Sequence, residues 1–156
     1  MIQIVKDTRP WFFLQTTHST YGMRVMETGH LEHLYYGERI TVDTQDSAFC
    51  APLVIQRGFA SGNTCTYDRE HPQISMEDVC LEVGALGRGD IREPFLEVKF
   101  TDGSVTSDFT FDSYEVITLK EREQCLQASG LPRSYSEAET DSAECLQIVL
   151  QDVTNH

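Results

Sequence analysis

Apolar residues in the first part of the chain recur with the two-residue period of β-strands rather than the 3.6-residue period of helices. The aromatic-rich run Trp11–Gln15 predicts one strand, because such side chains suit a half-buried pleated surface. Two more strands are predicted at residues 21–26 and 31–36, with a turn at Gly29 between them. Three strands joined by short links predict an antiparallel meander.

The middle of the chain, residues 41–89, lacks clean alternation and is interrupted by several glycines and prolines. A loop of that length without secondary structure would be unusual inside a compact domain. We therefore expect short strands within it, near residues 53–55 and 74–79.

Strand-type alternation returns after Pro94. The dipeptide Asp102-Gly103 is a strong hairpin signal between two such runs. Residues 121–144 are polar and read as a long exposed connection. The strands predicted in this part lie at residues 95–100, 106–115 with a bent continuation at 114–119, and 145–151.

These patterns give seven to ten strands and no amphipathic helix, so the predicted fold class is all-β, an antiparallel two-sheet β-sandwich. The chain has 156 residues, 40% of them hydrophobic, which suits one domain with a substantial core. We expect residues 1–156 to form a single β-sandwich module.

The net charge of −13, from 25 acidic and 12 basic residues, disfavours nucleic acids and anionic membranes as partners. It is compatible with a neutral partner such as a sugar. The N-terminus does not look like a signal peptide, and no apolar run approaches the ~20 residues needed to span a bilayer. We expect a soluble, cytoplasmic protein. Its five cysteines are widely spaced and are expected to be free thiols.

No local motif identifies a catalytic centre or a cofactor site. His30 and His33 would share a helix face but lie on opposite faces of a strand, so a shared metal is not expected. The Arg-Gly-Asp tripeptide at residues 88–90 is interpreted as part of a glycine-rich turn. Phosphate-binding loops and a Gly-x-Ser-x-Gly elbow are absent from the sequence, whereas a Ser-His-Asp assembly stays open.

Aromatic residues offer another route to function, because their rings could stack on a sugar. Trp11, Tyr35 and Tyr36 are the candidates, and core packing is the favoured interpretation for all three. The carboxylates offer many pairs for glycoside hydrolysis, but the sequence does not show which of them meet.

Four ordered segments carry a family resemblance. Residues 19–23 (STYGM) and 29–40 (GHLEHLYYGERI) resemble the opening of glycoside hydrolase family 36 α-galactosidases. Residues 89–94 (GDIREP) are similar to that family's Gly-Asp-Phe-Arg-x-Pro motif, and residues 100–104 (FTDGS) to its Asp-Gly-Ser hairpin. The fourth segment, GLPRSY with the later ECLQIVLQD, resembles Gly-Leu-Pro-Ala-Thr-Tyr followed by Glu-Thr-Leu-Glu-Ile-x-Leu-x-Asp.

The resemblance implies the first part of an N-terminal β-supersandwich of galactose-mutarotase-like type. In that family, a TIM-type barrel and a C-terminal β-domain follow. The barrel's Asp-Asp-Gly-Trp and Lys-Trp-Asp segments have no counterpart here, so this chain alone is expected to be inactive and to need no cofactor. The implied parent enzyme hydrolyses terminal α-galactosides such as melibiose and raffinose by a retaining mechanism.

The resemblance also implies site residues and partners. Family members are often tetramers in which a loop carrying Asp-Arg-x-Phe can reach a neighbouring subunit's active site. Gln56, Arg57 and Phe59 match that segment, with glutamine in place of the aspartate. They are the predicted substrate-binding residues, and a purely structural loop is the alternative. The expected partners are the barrel, neighbouring subunits of a homo-oligomer and the galactoside. A stand-alone carbohydrate-binding or purely structural sandwich is the other hypothesis.

Overall fold

The computed structural model describes residues 1–54, 66–118, 121 and 144–154. The described residues contain six strands and two short 3-10 helices. The strands are β1 (Ile2–Val5), β2 (Trp11–Gln15), β3 (Ser19–Val25), β4 (Leu31–Glu38), β5 (Phe109–Thr118) and β6 (Glu144–Asp152). The 3-10 helices span Ser47–Leu53 and Met76–Asp78.

Strands β1 to β4 form one antiparallel sheet in chain order. Leu14 lies opposite Tyr21, and Tyr21 lies opposite Tyr36, so one register runs across the meander. A bulge shifts the register between Gly22 and Met23. Gly22 is needed there, because a Cβ atom at this position would lie 3.0 Å from the Phe13 ring. The predicted meander is confirmed, and β1 adds a fourth strand to it.

Strands β5 and β6 form a second antiparallel sheet of two strands. Phe111 pairs with Leu150 and Tyr114 with Ile148. A register shift between Phe111 and Ser113 interrupts the ladder, which accounts for the bend predicted in this strand. The predicted strands at 106–115 with 114–119 and at 145–151 are therefore confirmed, with moderate shifts at their ends.

The main core lies between the two sheets. Phe12 is fully buried on the inner face of the four-stranded sheet, and its ring centroid lies 6.2 Å from that of Phe111 and 5.1 Å from that of Tyr114. The same cluster includes aliphatic side chains from both sheets. Burying each such side chain contributes about 1.5–3 kcal/mol to folding. This packing confirms the predicted all-β, antiparallel two-sheet sandwich.

The opposite face of the four-stranded sheet is covered as well. Phe13 is fully buried against Phe49 of the first 3-10 helix, with ring centroids 5.7 Å apart. The Gln15 amide donates to the Ile40 carbonyl at 2.7 Å and to Thr20 Oγ1 at 3.1 Å. The bond to Ile40 attaches the segment that follows β4 to this face of the sheet. The four-stranded sheet is thus buried on both faces.

Several predictions for the middle of the chain are wrong. Residues 74–79 contain the 3-10 helix Met76–Asp78 instead of a strand, and Leu53 ends the other 3-10 helix. Residues 95–100 alternate but form no strand, since none of the described strands pairs with them. Phe95 and Leu96 are accordingly 77% and 45% exposed. The chain does turn at Asp102-Gly103, with Gly103 at φ 89°, but the predicted β-hairpin does not form, since residues 95–100 are not a strand.

Within the described ranges, no helix has the length and apolar character to cross a membrane.

Candidate functional site

The predicted substrate-binding residues, Gln56, Arg57 and Phe59, lie in residues 55–65, outside the described part of the chain. Their role stays a prediction.

A buried polar cluster centred on Asp108 joins several distant parts of the chain. Its carboxylate lies 2.7 Å from His30 Nε2 through Oδ1, and Oδ2 accepts from the Tyr67 hydroxyl at 2.9 Å and from Arg88 Nε at 3.0 Å. On its far side, the His30 ring places Nδ1 2.9 Å from Thr28 Oγ1. We call these five residues the Asp108 network.

The turn between β3 and β4, which contains Thr28, also contacts the second sheet. Gly29 adopts φ 88°, and its carbonyl accepts from the Phe111 amide at 2.8 Å. A Cβ atom at Gly29 would lie 3.1 Å from the Thr110 Cβ, so glycine allows the turn to approach β5 this closely. The Asp108 amide in turn donates to the Asp152 carboxylate at 3.1 Å. Both strands of the second sheet are therefore attached to the network.

The network is electrostatically balanced. Burial alone would raise the pKa of Asp108, but the hydrogen bond and charge of His30, together with Tyr67 and Arg88, outweigh it and hold the pKa below its ordinary value. Burial and the hydrogen bond to Asp108 raise the pKa of Tyr67. Asp108 is therefore an ionised acceptor surrounded by donors.

The order Thr28, His30, Asp108 has the connectivity of a hydroxyl–imidazole–carboxylate relay. An ionised carboxylate only accepts, so His30 Nε2 donates to Asp108, and Nδ1 faces the Thr28 hydroxyl on the other side of the ring. However, the three residues are only 9%, 4% and 1% exposed, respectively. A substrate cannot reach a hydroxyl group buried to this extent. The contacts instead join the turn between β3 and β4 to the residue before β5, and so they hold the two sheets together.

Two further buried carboxylates are also neutralised by arginine. Asp90 receives Arg92 Nε on Oδ1 and Arg92 Nη2 on Oδ2, both at 2.8 Å. Glu32 receives Arg24 Nε at 2.6 Å, and the Arg24 guanidinium also lies over the Trp11 ring. The pairing gives Asp90 and Arg92 a structural role, and the segment that carries them forms no strand.

A partly exposed aromatic cluster lies toward the other end of the four-stranded sheet. Glu82 accepts from the Tyr21 hydroxyl at 2.6 Å and lies 3.1 Å from His33 Nδ1. Burial and the hydrogen bond to Glu82 raise the pKa of Tyr21. Tyr36 packs beside Tyr21, with ring centroids 6.0 Å apart, yet is 73% exposed. A shallow groove of about 320 Å³ runs beside these two rings.

The other sequence candidates separate in the structure. His30 and His33 have different partners, and the described residues contain no group of three metal-ligating side chains. Trp11 packs against the covered face of the sheet, whereas Tyr35 donates its hydroxyl to the Glu38 carbonyl. The described cysteines form no disulfide.

Similarity to known proteins identifies the family of this chain. Residues 29–156 match the family model described as the glycosyl hydrolase family 36 N-terminal domain. This chain belongs to that family.

Similar proteins of the family are α-galactosidases. The bifunctional alpha-galactosidase/sucrose kinase AgaSK of Mediterraneibacter gnavus is 36% identical over 154 residues, which are 97% of this chain and 15% of that protein. Alpha-galactosidase AgaA of Geobacillus stearothermophilus is 30% identical over 141 residues, 90% of this chain and 18% of that protein. The crystal structure of the Lactobacillus brevis α-galactosidase superposes with a TM-score of 0.75 at 28% identity, covering 96% of this chain and 18% of that one.

This glycosyl hydrolase family 36 N-terminal domain therefore spans less than a fifth of the curated relatives that it matches. The family predicted from the four sequence segments is confirmed. The Asp108 network was not predicted. Asp108 lies directly before β5, but no local pattern identifies its partners, because His30, Tyr67 and Arg88 are 78, 41 and 20 positions away.

Proposed function

We propose that this chain serves as the non-catalytic N-terminal domain of an α-galactosidase. The parent enzyme would hydrolyse terminal α-galactosides such as melibiose and raffinose with retention of configuration. The observation that carries the proposal is the match of residues 29–156 to the family's N-terminal domain, together with the small share of each relative that the chain covers. The proposed location is the cytoplasm.

The three buried carboxylates of the described residues have a structural role. A retaining glycosidase needs an accessible nucleophilic carboxylate and a second carboxyl group about 5–5.5 Å away. The buried acidic residues of the described ranges, Glu32, Asp90 and Asp108, are each held by an arginine. Such pairing stabilises the fold and leaves these groups unsuited to attack a sugar.

We further propose that the domain assembles with the rest of the parent enzyme and with neighbouring subunits. In the described residues, β5 and β6 form a strand ladder only with each other, and apart from the Phe111 amide bonded to the Gly29 carbonyl, no described strand pairs with their outer edges. Open edges pair readily with other strands. The residues Gln56, Arg57 and Phe59 would then contribute to a neighbouring subunit's substrate pocket, as the family resemblance implies.

The test is a chimera in which this chain replaces the aligned 154 residues of Mediterraneibacter gnavus AgaSK. We expect the chimera to hydrolyse a nitrophenyl α-galactoside and the isolated chain to show no turnover. Turnover by the isolated chain, retained after repurification, would contradict the non-catalytic role. An inactive, misfolded chimera would contradict the proposed place in the enzyme.

A stand-alone carbohydrate-binding domain is the second candidate, favoured by the 73% exposure of Tyr36 beside a groove. Aromatic rings of this kind can stack on sugars. Several polar groups of that groove are already engaged: Gln15 binds Thr20 and Ile40, and Glu144 accepts from the Ile2 amide at 2.9 Å. Calorimetric titration with galactose and raffinose distinguishes the candidates, since saturable binding abolished by Tyr36→Ala would favour this one.

A further inference from the structure

The turn at residues 100–104 contains the one Asp-Gly dipeptide of the sequence, which has no Asn-Gly. At Asp-Gly, the glycine has no side chain to shield its amide nitrogen, so this nitrogen can attack the neighbouring carboxyl group. Gly103 adopts φ 89°, which glycine tolerates and other residues do not. The conformation of the turn therefore favours, at residue 103, the residue that makes Asp102 most reactive.

The surroundings of the turn leave this peptide bond open. Asp102 and Gly103 are both exposed. Apart from its chain neighbours, no atom of the described residues lies within 4 Å of the position that a Gly103 Cβ would take. Local openings of such an exposed segment need little free energy, because no packed side chains have to separate. Protection of Asp102 must therefore come from the turn itself.

Hydrogen bonds within the turn engage both reacting groups. The Gly103 amide, which would be the nucleophile, donates to the Phe100 carbonyl at 3.0 Å. Asp102 Oδ1 accepts from the Ser104 amide at 2.9 Å and from the Ser104 hydroxyl at 2.8 Å. These two bonds from Ser104 lower the pKa of the Asp102 carboxyl, and the ionised carboxylate that they favour is a poor electrophile. Ser104 thus opposes the attack in two ways.

We infer that Asp102-Gly103 is a site of backbone isomerisation and that Ser104 suppresses the reaction in the folded turn. In this reaction, the Gly103 nitrogen bonds to Asp102 Cγ and loses its proton, which leaves with the carboxyl hydroxyl as water. Water then adds to the main-chain carbonyl carbon of Asp102 and breaks its bond to the Gly103 nitrogen. The backbone now runs through Cγ as isoaspartate, with no net change in mass. The inference does not depend on the proposed function.

The experiment measures isoaspartate at residue 102 by peptide mapping with electron-transfer fragmentation, which distinguishes the two isomers. The whole chain is incubated at neutral pH, both folded and in guanidinium chloride. Ser104→Ala removes the hydroxyl donor, and Ser104→Thr keeps one. The matched control is Ser113→Ala, which removes a similar bond from the Ser113 hydroxyl to Asp112 Oδ2 at 2.9 Å.

The unfolded chain should form isoaspartate faster than the folded chain. Among the folded proteins, Ser104→Ala should react about threefold faster than the unmodified protein, as expected for the loss of one exposed hydrogen bond. Ser104→Thr and Ser113→Ala should react at the rate of the unmodified protein.

Two kinds of result would overturn the inference. If the unfolded chain forms no isoaspartate at residue 102, the dipeptide is not a site of isomerisation. If Ser104→Ala reacts no faster than the unmodified protein, Ser104 does not suppress the reaction. The same conclusion about Ser104 holds if this variant loses its folded circular dichroism spectrum and reacts at the rate of the unfolded chain.

Discussion

The two sheets of this domain are built in different ways. The four-stranded sheet forms from consecutive strands within residues 2–38 and is buried on both faces. In the two-stranded sheet, β5 and β6 are separated by 25 residues, since β5 ends at Thr118 and β6 begins at Glu144. The first sheet is fixed by local pairing, whereas the second depends on long-range contacts: the shared core and the Asp108 network.

The largest expected effect comes from substitutions that test whether the two faces of the four-stranded sheet contribute equally to the free energy of unfolding. Phe12 faces the two-stranded sheet and Phe13 faces the first 3-10 helix, and both are fully buried. Phe12→Ala and Phe13→Ala should each lower the free energy of unfolding by about 4 kcal/mol. Urea titration of both variants measures this. A much smaller loss for Phe12→Ala would mean that the second sheet docks only loosely.

The next effect concerns the Asp108 network. Asp108→Ala removes the shared acceptor of His30, Tyr67 and Arg88, so the buried His30 and the two partly buried donors lose their partner. We expect a loss of about 3 kcal/mol in the free energy of unfolding. Asp112→Ala, which changes an exposed acid on β5, is the matched control and should leave urea unfolding unchanged. A comparable loss in the control would show that the network has no special role.

Comparing alanine substitutions at two glycines separates the effect of the close contact between the sheets from that of backbone strain. Gly29 and Gly103 both have φ near 89°, but only the added Cβ of Gly29 would meet a neighbour, Thr110, within 4 Å. Gly103→Ala should lower the free energy of unfolding by about 1 kcal/mol from backbone strain alone. Gly29→Ala should cost about 2 kcal/mol, because the turn must also move away from β5. Equal losses would mean that the contact between Gly29 and β5 is not constraining.

The smallest effect is a change in stability with pH. The pKa of Asp108 is below its ordinary value in the folded protein, so the stability it contributes is complete above the unfolded-state pKa of about 3.9. That contribution is lost as the pH falls through the lower, folded-state pKa. The free energy of unfolding of the unmodified protein should therefore fall more steeply below pH 4 than that of Asp108→Asn. Parallel pH profiles would contradict the depressed pKa.

The same contrast explains what the sequence could predict. Strands β2 to β4 could be predicted from alternation. Their pairing could be predicted as well, because each strand pairs with its neighbour in the chain. Strand β1, with four residues, is too short for its period to stand out. The run at residues 95–100 shows the reverse error, since it alternates but pairs with none of the described strands. Alternation reports which side chains share a face, but not whether a neighbouring strand is present.

The polar sites were less accessible to sequence reasoning. His30 and Asp108 are 78 positions apart, so no local pattern brings them together. The ion pair between Asp90 and Arg92 was within reach, because the two residues lie close in sequence and in a segment that resembles a family motif. The roles of Gln56, Arg57 and Phe59 came from the resemblance alone and stay predictions.

The central proposal is that this chain is a non-catalytic part of an α-galactosidase. The most direct measurement is the initial rate of nitrophenyl α-galactoside hydrolysis by the isolated chain, by the AgaSK chimera and by AgaSK without its aligned segment. We predict no turnover by the chain, turnover by the chimera, and little or none by the truncated enzyme. Turnover by the isolated chain, or full activity of the truncated enzyme, would contradict this account.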